Sequence, residues 1–206
     1  MANMFCYQCE QTVGGKACTG GAGACGKKSG TPVLQDELTG ALIALARAAD
    51  GTKPSQSTHR AMLEGLFTTI TNVNFDDEKI ERVIEKVRAE KARLVPGCGG
   101  CSSACGRNDE YDMNKMWEAD EDIRSLKSLI LFGLRGMAAY AYHALVLGYT
   151  DDEVNSFLYK GMFALGEEWG MDGLLPIVIE TGKVNLRCME LLDQAHNETF
   201  GTPVPT

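Results

Sequence analysis

The stretch RSLKSLILFGLRGMAAYAYHALVLGY, residues 124–149, is the most hydrophobic part of the chain. Its apolar residues predict one long helix from about Asp120 to Gly148. No uncharged run of membrane-spanning length is present, and no membrane partner is expected, because three basic residues interrupt the stretch: Arg124, Lys127 and Arg135. Small residues along the same helix indicate close packing against neighbours: Gly133, Gly136, Ala138, Ala139 and Ala141.

Five further helices are predicted from apolar residues at helical spacing. The first begins at Thr31, a favourable N-cap followed by Pro32, and ends at Gly51. The fifth opens with a capping box formed by Thr150 and Glu153. The others run from about Ser57 to Thr71, from Asp76 or Asp77 onward, and from about Asp172 to Gln194 with Pro176 inside. The third carries charged residues that predict a solvated face: Glu81, Glu85, Lys86, Arg88 and Glu90.

No credible strand is found, so the predicted fold class is all-α, with two small three-helix bundles preceded by a cysteine-rich loop. Proline, glycine and cysteine interrupt the helical pattern between the two groups of helices. The predicted division is a cysteine-rich loop (1–30), a first bundle (31–94), a connecting loop (95–118), a second bundle (119–199) and a linker (200–206). The tail FGTPVPT is expected to lead into a further domain.

The charge balance excludes one class of partner. The chain of 206 residues has a formal net charge of −8, and no basic stripe is present to neutralise phosphates, so nucleic acid is not an expected partner. No charged and apolar leader follows Met1, which predicts a cytoplasmic protein. In that compartment, grouped cysteines are more often metal ligands or redox groups than structural disulfides.

Four cysteines crowd the first 25 residues, in the run MFCYQCEQTVGGKACTGGAGACGKK at residues 4–28. Two residues separate Cys6 from Cys9, eight separate Cys9 from Cys18, and six separate Cys18 from Cys25. Glycines fill the gaps, which allows the backbone to approach a bound centre closely. Thiolates in this number suit zinc or an iron–sulfur cluster.

Spacing alone leaves three interpretations of these cysteines open. In the first, the cysteines are free or form disulfides. A Cys₄ zinc site is the second, although only Cys6 and Cys9 form the two-residue knuckle that such sites usually repeat. An iron–sulfur cluster is the third, although the spacing differs from that of bacterial ferredoxins. A haem attachment is excluded because Glu10, not histidine, follows Cys9.

A second group of cysteines lies in PGCGGCSSACGR, residues 96–107. Cys98, Cys101 and Cys105 have no obvious fourth ligand, which Cys188, His143 or an exogenous group would have to supply. We interpret them as a reduced, accessible loop. Residues with expected structural roles are three histidines, each hydrogen-bonded on a helix, and two tryptophans that anchor helix borders: His59, His143, His196, Trp117 and Trp169.

The chain resembles the hybrid-cluster protein family, also called prismane proteins or hydroxylamine reductases. The resemblance covers nearly the whole chain and rests on segments in the same order: MFCYQCEQT, ACGK, LQDEL, GLFTTITNVNFD, RSLKSLILFGLRGMAAYAYHALVLGY and LLDQAHNETFGTPVPT. The family's proteins are longer. Their helical N-terminal part carries a cysteine-ligated iron–sulfur cluster, and two α/β domains follow with a hybrid 4Fe–2S–2O cluster where the chemistry occurs.

The resemblance implies that this chain is the N-terminal helical domain of such a reductase. The implied parent reaction is the two-electron reduction of hydroxylamine to ammonia and water, with a proposed role in nitrosative stress. The family's cluster ligands map onto Cys6, Cys9, Cys18 and Cys25, which relay electrons, and no catalytic residue is assigned in this chain. The eight-residue gap implies [4Fe–4S] rather than [2Fe–2S] by its likeness to family members with a short gap. The chain is also shorter than many relatives between its third and fourth helices, and in this it resembles a compact subgroup from anaerobes.

The implied partners are an unidentified ferredoxin-like or reductase electron donor and the α/β domains. Two alternatives to this assignment stay open. The first is a zinc-stabilised helical interaction module without a redox role. The second is the N-terminal region of a protein like carbon monoxide dehydrogenase, whose lineage has a similar helical architecture.

Overall fold

The structure is a computed structural model that describes residues 4–9, 16–70, 75–95 and 109–205. Its elements are α1 (Gly30–Ala49), α2 (Gln56–Thr68), α3 (Asp77–Leu94), α4 (Asn114–Trp117), α5 (Glu121–Val146), α6 (Asp152–Gly166) and α7 (Met171–Phe200). Apart from two isolated β-bridges near the N-terminus, the described residues contain no strand pairing. The predicted all-α class is confirmed.

The first three helices pack against one another, α1 and α2 both lying on α3. The apolar stripe predicted for α1 is buried, since Leu38, Leu42 and Leu45 have no exposed surface. Helix α2 approaches α1 closely at Gly65, where a Cβ atom would lie 2.7 Å from a methyl carbon of Leu42. A residue without a side chain is therefore required at that contact.

The last three long helices form a second group, in which α5 lies against α6 and α7. The two groups also meet directly, with α1 on α6 and α2 on α5. One continuous apolar core results, running from Leu38 of α1 through Leu134 of α5 to Cys188 of α7. Among the described residues only α5 is long and apolar enough to cross a membrane, and this helix instead contributes much of that shared core.

Several helix ends differ from the prediction. Helix α1 begins at Gly30, and Thr31, predicted as its N-cap, lies in the first turn. The Thr31 hydroxyl donates instead to Asp77 Oδ1 at 2.6 Å and ties α1 to the start of α3. The N-cap of α6 is Asp151 rather than Thr150, since its carboxylate accepts the Val154 N–H at 3.0 Å. Helix α7 runs beyond Gln194 to Phe200, because Ala195 continues its buried face.

Two further differences concern polar segments. Glu90 is not on a solvated face: it is buried and accepts hydrogen bonds from the Ser57 and Thr58 hydroxyls at 3.2 and 3.0 Å. The predicted connecting loop contains the short helix α4, whose Met116 and Trp117 are buried in the shared core. Cys98, Cys101 and Cys105 of that loop lie outside the described residues.

Candidate metal centre

Cys6 and Cys18 lie opposite each other on an antiparallel β-bridge. The Cys6 N–H donates to the Cys18 carbonyl at 3.1 Å, and the Cys18 N–H returns a bond to the Cys6 carbonyl at 3.0 Å. A residue pair that exchanges both bonds has its Cα atoms about 5.5 Å apart, with both side chains on one face. The two thiols are buried together against Met4. The fold therefore pairs two of the four predicted ligands.

Cys25 lies in a tight turn further along the same N-terminal segment. Its neighbour Gly26 has φ +86°, and the Gly26 N–H donates to the Gly23 carbonyl at 2.8 Å. A Cβ atom on Gly23 would lie 3.4 Å from Met4 Cε and 3.5 Å from Cys25 Sγ. The Cys25 sulfur and the Met4 methyl group thus both border Gly23, and Met4 packs against the buried Cys6–Cys18 pair.

Cys9 completes the predicted set and lies in a bend shortly after Cys6. It is partly exposed, and Cys25 is exposed, whereas Cys6 and Cys18 are buried. Within the described part of the chain, no three histidine, cysteine or acidic side chains converge on a point where a metal ion could bind. The structure holds the four cysteines in one N-terminal segment and pairs two of them, but it does not close them into one coordination shell.

The chemistry of these side chains fits a centre that prefers thiolates. Burial raises the pKa of the Cys6 thiol, although a hydrogen bond from the Gln8 backbone and the charge of Lys27 act in the opposite direction. A bound cation would reverse the effect of burial, because a coordinating thiol is deprotonated outright. Backbone N–H groups directed at ligand sulfurs, such as that of Gln8, are also among the factors that set cluster reduction potentials.

The cysteine segment is fixed to the helices by Arg135 of α5. Its guanidinium group donates to the Gln8 carbonyl at 3.2 Å, to Thr69 Oγ1 at 3.0 Å and to Thr39 Oγ1 at 3.3 Å. Burial lowers the pKa of Arg135 to about 10, while the charges of Asp36, Cys6 and Cys9 act in the opposite direction. A cation at neutral pH therefore faces the loop that carries Cys6 and Cys9.

Residues of the LQDEL segment in α1 also bind the N-terminal cysteine segment. Asp36 accepts hydrogen bonds from the Gln8 side-chain amide and, at 3.4 Å, from Trp117 Nε1. Burial raises the pKa of Asp36 to about 6, against the opposing charge of Arg135. The buried Lys27 donates to the Gln35 side-chain oxygen at 2.5 Å.

Sequence reasoning does not identify these supporting residues. In the sequence, Arg135 stands out only as an interruption of an apolar stretch, and Asp36 only as part of a family motif. A charged residue that falls on the buried face of a predicted helix is the signal that could have found Arg135, because such a charge requires partners.

The other candidate residues, Cys188 and the three histidines, pack against neighbouring side chains of the helices. Cys188 is fully buried in α7, as predicted, and burial raises its pKa to about 12. The ring of His59 lies edge-on to Tyr159 with centroids 5.5 Å apart, and that of His143 lies edge-on to Phe67 at 5.7 Å. His196 packs in the same way against Phe200.

Comparison with known proteins supports the resemblance drawn from the sequence. The model of the Prismane/CO dehydrogenase family matches residues 4–206. A protein named hydroxylamine reductase from Maridesulfovibrio salexigens is 38% identical over 98% of this chain, and the match covers 41% of that relative. Relatives with the same name from Methanocella arvoryzae and Porphyromonas gingivalis are 36% and 38% identical, over 98% and 97% of this chain. The chain spans about two fifths of the length of these curated relatives. This chain is therefore a member of the Prismane/CO dehydrogenase family.

Proposed function

We propose that this chain is the N-terminal electron-transfer domain of a hydroxylamine reductase, in which Cys6, Cys9, Cys18 and Cys25 hold one [4Fe–4S] cluster. The observation that carries the proposal is the buried Cys6–Cys18 bridge, in a chain whose relatives are named hydroxylamine reductase. Family membership supports an iron–sulfur cofactor, and the eight-residue gap between Cys9 and Cys18 favours the cubane form.

The residues of this chain would each have a defined task. Cys6 and Cys18 bind from the buried side, where Met4 excludes water. Cys9 and Cys25 bind from the more exposed side, which is where an electron-donor protein, ferredoxin-like or a reductase, would approach. When bound, the cluster supplies storage for one electron at a time. The protein controls its potential through sulfur hydrogen bonds, charge and burial.

The parent reaction requires more polypeptide than this chain contains. Two electrons and two protons convert hydroxylamine into ammonia and water, and we assign this step to the hybrid cluster of the α/β domains of a full-length protein. About three fifths of each relative lies outside the matched region. We place the whole protein in the cytoplasm.

An apolar face of α7 supports the presence of such further domains. Met171, Leu175, Ile179 and Leu186 recur along one side of the helix and are each more than half exposed. An exposed apolar stripe of this kind marks a contact surface. We assign it to the remainder of a full-length polypeptide, because the relatives contain that additional chain.

Iron and acid-labile sulfide analysis of the anaerobically purified or reconstituted chain tests the assignment. We expect four irons and four sulfides for each folded chain, and a signal from the dithionite-reduced protein in electron paramagnetic resonance. Two irons and two sulfides would instead identify [2Fe–2S]. One zinc without sulfide would overturn the electron-transfer function in favour of a zinc-stabilised interaction module.

A further inference from the structure

Arg135 is a buried cation that forms no hydrogen bond to a carboxylate among the described residues. Only 4% of the residue is exposed. Its three hydrogen bonds to described residues go to neutral oxygen atoms, those of Gln8, Thr39 and Thr69. Asp36 is its largest opposing charge, but the Asp36 carboxylate accepts hydrogen bonds from Gln8 and Trp117 and is not a hydrogen-bond partner of Arg135 in the described residues.

Such an arrangement is costly unless negative charge is close by. Moving a guanidinium ion out of water is strongly unfavourable unless opposite charge compensates for the lost hydration. The nearest compensation from the cysteine loop comes from Cys6 and Cys9, both of which interact electrostatically with Arg135. Four thiolates around an iron–sulfur core would carry net negative charge at that place.

The hydrogen bond between Arg135 and Gln8 lies between two of the proposed ligands in the chain. The guanidinium group binds the carbonyl of Gln8, which lies between Cys6 and Cys9 in the chain. The Gln8 backbone in turn hydrogen bonds to the Cys6 thiol. Through Thr39 of α1 and Thr69 at the end of α2, the same side chain is anchored to two other helices. Arg135 therefore fixes the backbone that sets the direction of Cys6.

We propose that Arg135 is a positioning residue for the iron–sulfur cluster: it clamps the backbone between Cys6 and Cys9, and its positive charge raises the reduction potential of the cluster. The inference rests on the proposed function, since it requires a cluster at these cysteines. Lys27 is a second buried cation near Cys6 and contributes in the same direction. Asp36 is an opposing group, so potentials are compared at pH 8, where its carboxylate remains ionised.

The test uses two variants of the full 206-residue chain. Arg135→Met removes the charge at similar length, and Arg135→Lys keeps the charge but loses the forked geometry. The midpoint potential is measured by titration under electron paramagnetic resonance. For Arg135→Met we expect the ratio of reduced to oxidised cluster at a fixed potential to fall at least tenfold, which is 59 mV for one electron. For Arg135→Lys we expect less than half of that shift.

Lys127→Met is the matched control. Lys127 is also a buried cation of α5, but its ammonium group donates to the Leu165 and Glu167 carbonyls at 2.9 Å each, at the end of α6. We expect the midpoint potential of the cluster in Lys127→Met to equal that in the wild type. Circular dichroism of each variant verifies that the helices are folded.

The outcomes separate the inference from the proposed function. A wild-type chain without iron and sulfide overturns both. A wild type that holds the cluster, with an unchanged potential in Arg135→Met, overturns the Arg135 inference alone. Equal shifts in Arg135→Met and Arg135→Lys overturn the role of charge. If Arg135→Met folds but loses the cluster, the positioning role is supported, and the potential of Arg135→Lys then decides the role of charge.

Discussion

Gly133 of α5 lies directly against Thr181 of α7. A Cβ atom on Gly133 would be 2.4 Å from Thr181 Cγ2, far inside the closest approach of two carbon atoms. The Thr181 hydroxyl is engaged with the Ile177 carbonyl of its own helix at 2.7 Å, so its methyl group faces α5. The two helices therefore pack at a distance that only glycine allows.

We expect Gly133→Ala to lower the free energy of unfolding by about 1–3 kcal/mol, because the added methyl group overpacks the contact with Thr181. Equilibrium urea denaturation followed by circular dichroism measures the change.

Gly136→Ala is the matched control on the same helix. A Cβ atom there meets nothing within 4 Å. Alanine should therefore stabilise by about 0.5–1 kcal/mol through its better helix propensity. If both substitutions stabilised the protein, the close approach of α5 and α7 would be wrong. The sequence prediction that small residues permit close packing thus applies to Gly133 but not to Gly136.

The N-cap of α6 gives a prediction with a pH dependence. Asp151 accepts the Val154 N–H and, at 2.9 Å, the Arg187 side chain. Burial opposes ionisation, but these bonds prevail and lower the pKa of Asp151. We expect Asp151→Ala to reduce the free energy of unfolding by about 1 kcal/mol at pH 7. Thr150→Ala is the control, because Thr150 is the N-cap predicted from sequence. It should change the free energy of unfolding by less than about 0.5 kcal/mol.

The sign of the pH effect follows from the direction of the pKa shift. A carboxyl group whose pKa is lower in the folded state stabilises the protein fully above its unfolded pKa of about 3.9. That contribution is lost as the pH falls through the folded-state pKa. The difference between wild type and Asp151→Ala should therefore shrink when unfolding is measured at successively lower pH, beginning near pH 4. A difference that stays constant down to about pH 2 would contradict the role of the ionised cap.

Local patterns in the sequence predicted most of the helices, because apolar spacing and caps act over a few residues. Helix α3 is predicted to open at Asp76 or Asp77, and Asp76 is its N-cap, with a side chain that accepts the Lys79 N–H at 3.1 Å. At α6 two neighbouring residues could both cap. The carboxylate of Asp151 is favoured over the Thr150 hydroxyl because it also binds Arg187, a residue on another helix.

The candidate site was predicted less completely, for a related reason. The four cysteines could be named from their grouping, but the pairing of Cys6 with Cys18 depends on a backbone bridge that spacing does not encode. The contact between Arg135 and Gln8 joins positions 127 residues apart. Such contacts arise from the packing of α5 against the rest of the chain, and no local pattern indicates them.

The ligand assignment leads to a comparison between two buried cysteines. We expect Cys18→Ser to reduce the iron content, since a hydroxyl is a poorer ligand for iron than a thiolate. Cys188→Ala is the control, because Cys188 is fully buried in α7 and belongs to the apolar core. That variant should be less stable and retain its iron. Full iron retention in Cys18→Ser would remove Cys18 from the ligand set.

Removal of the cluster should disorder the N-terminal segment and leave the helices folded. The apolar core joins α1 through α7 and contains none of the four proposed ligands, whereas Cys6 and Cys18 form a small cluster with Met4 alone. The helices are therefore expected to stay folded without metal, unlike a zinc finger. The segment before Thr31 is held to the helices mainly by polar contacts such as that of Arg135 with Gln8, and we expect it to need the cluster for full order.

Chelation of the cluster under anaerobic conditions, followed by circular dichroism and limited trypsin digestion, tests this prediction. We expect most of the far-UV helical signal to remain, while cleavage at the exposed Lys16 and Lys28 becomes rapid. Arg82 on the exposed face of α3 is the internal control and should be cut at the same rate with and without the cluster. Loss of the helical signal on chelation would mean that the cluster is integral to the core. In that case the contact of Arg135 with the loop would support the whole bundle rather than the N-terminal segment alone.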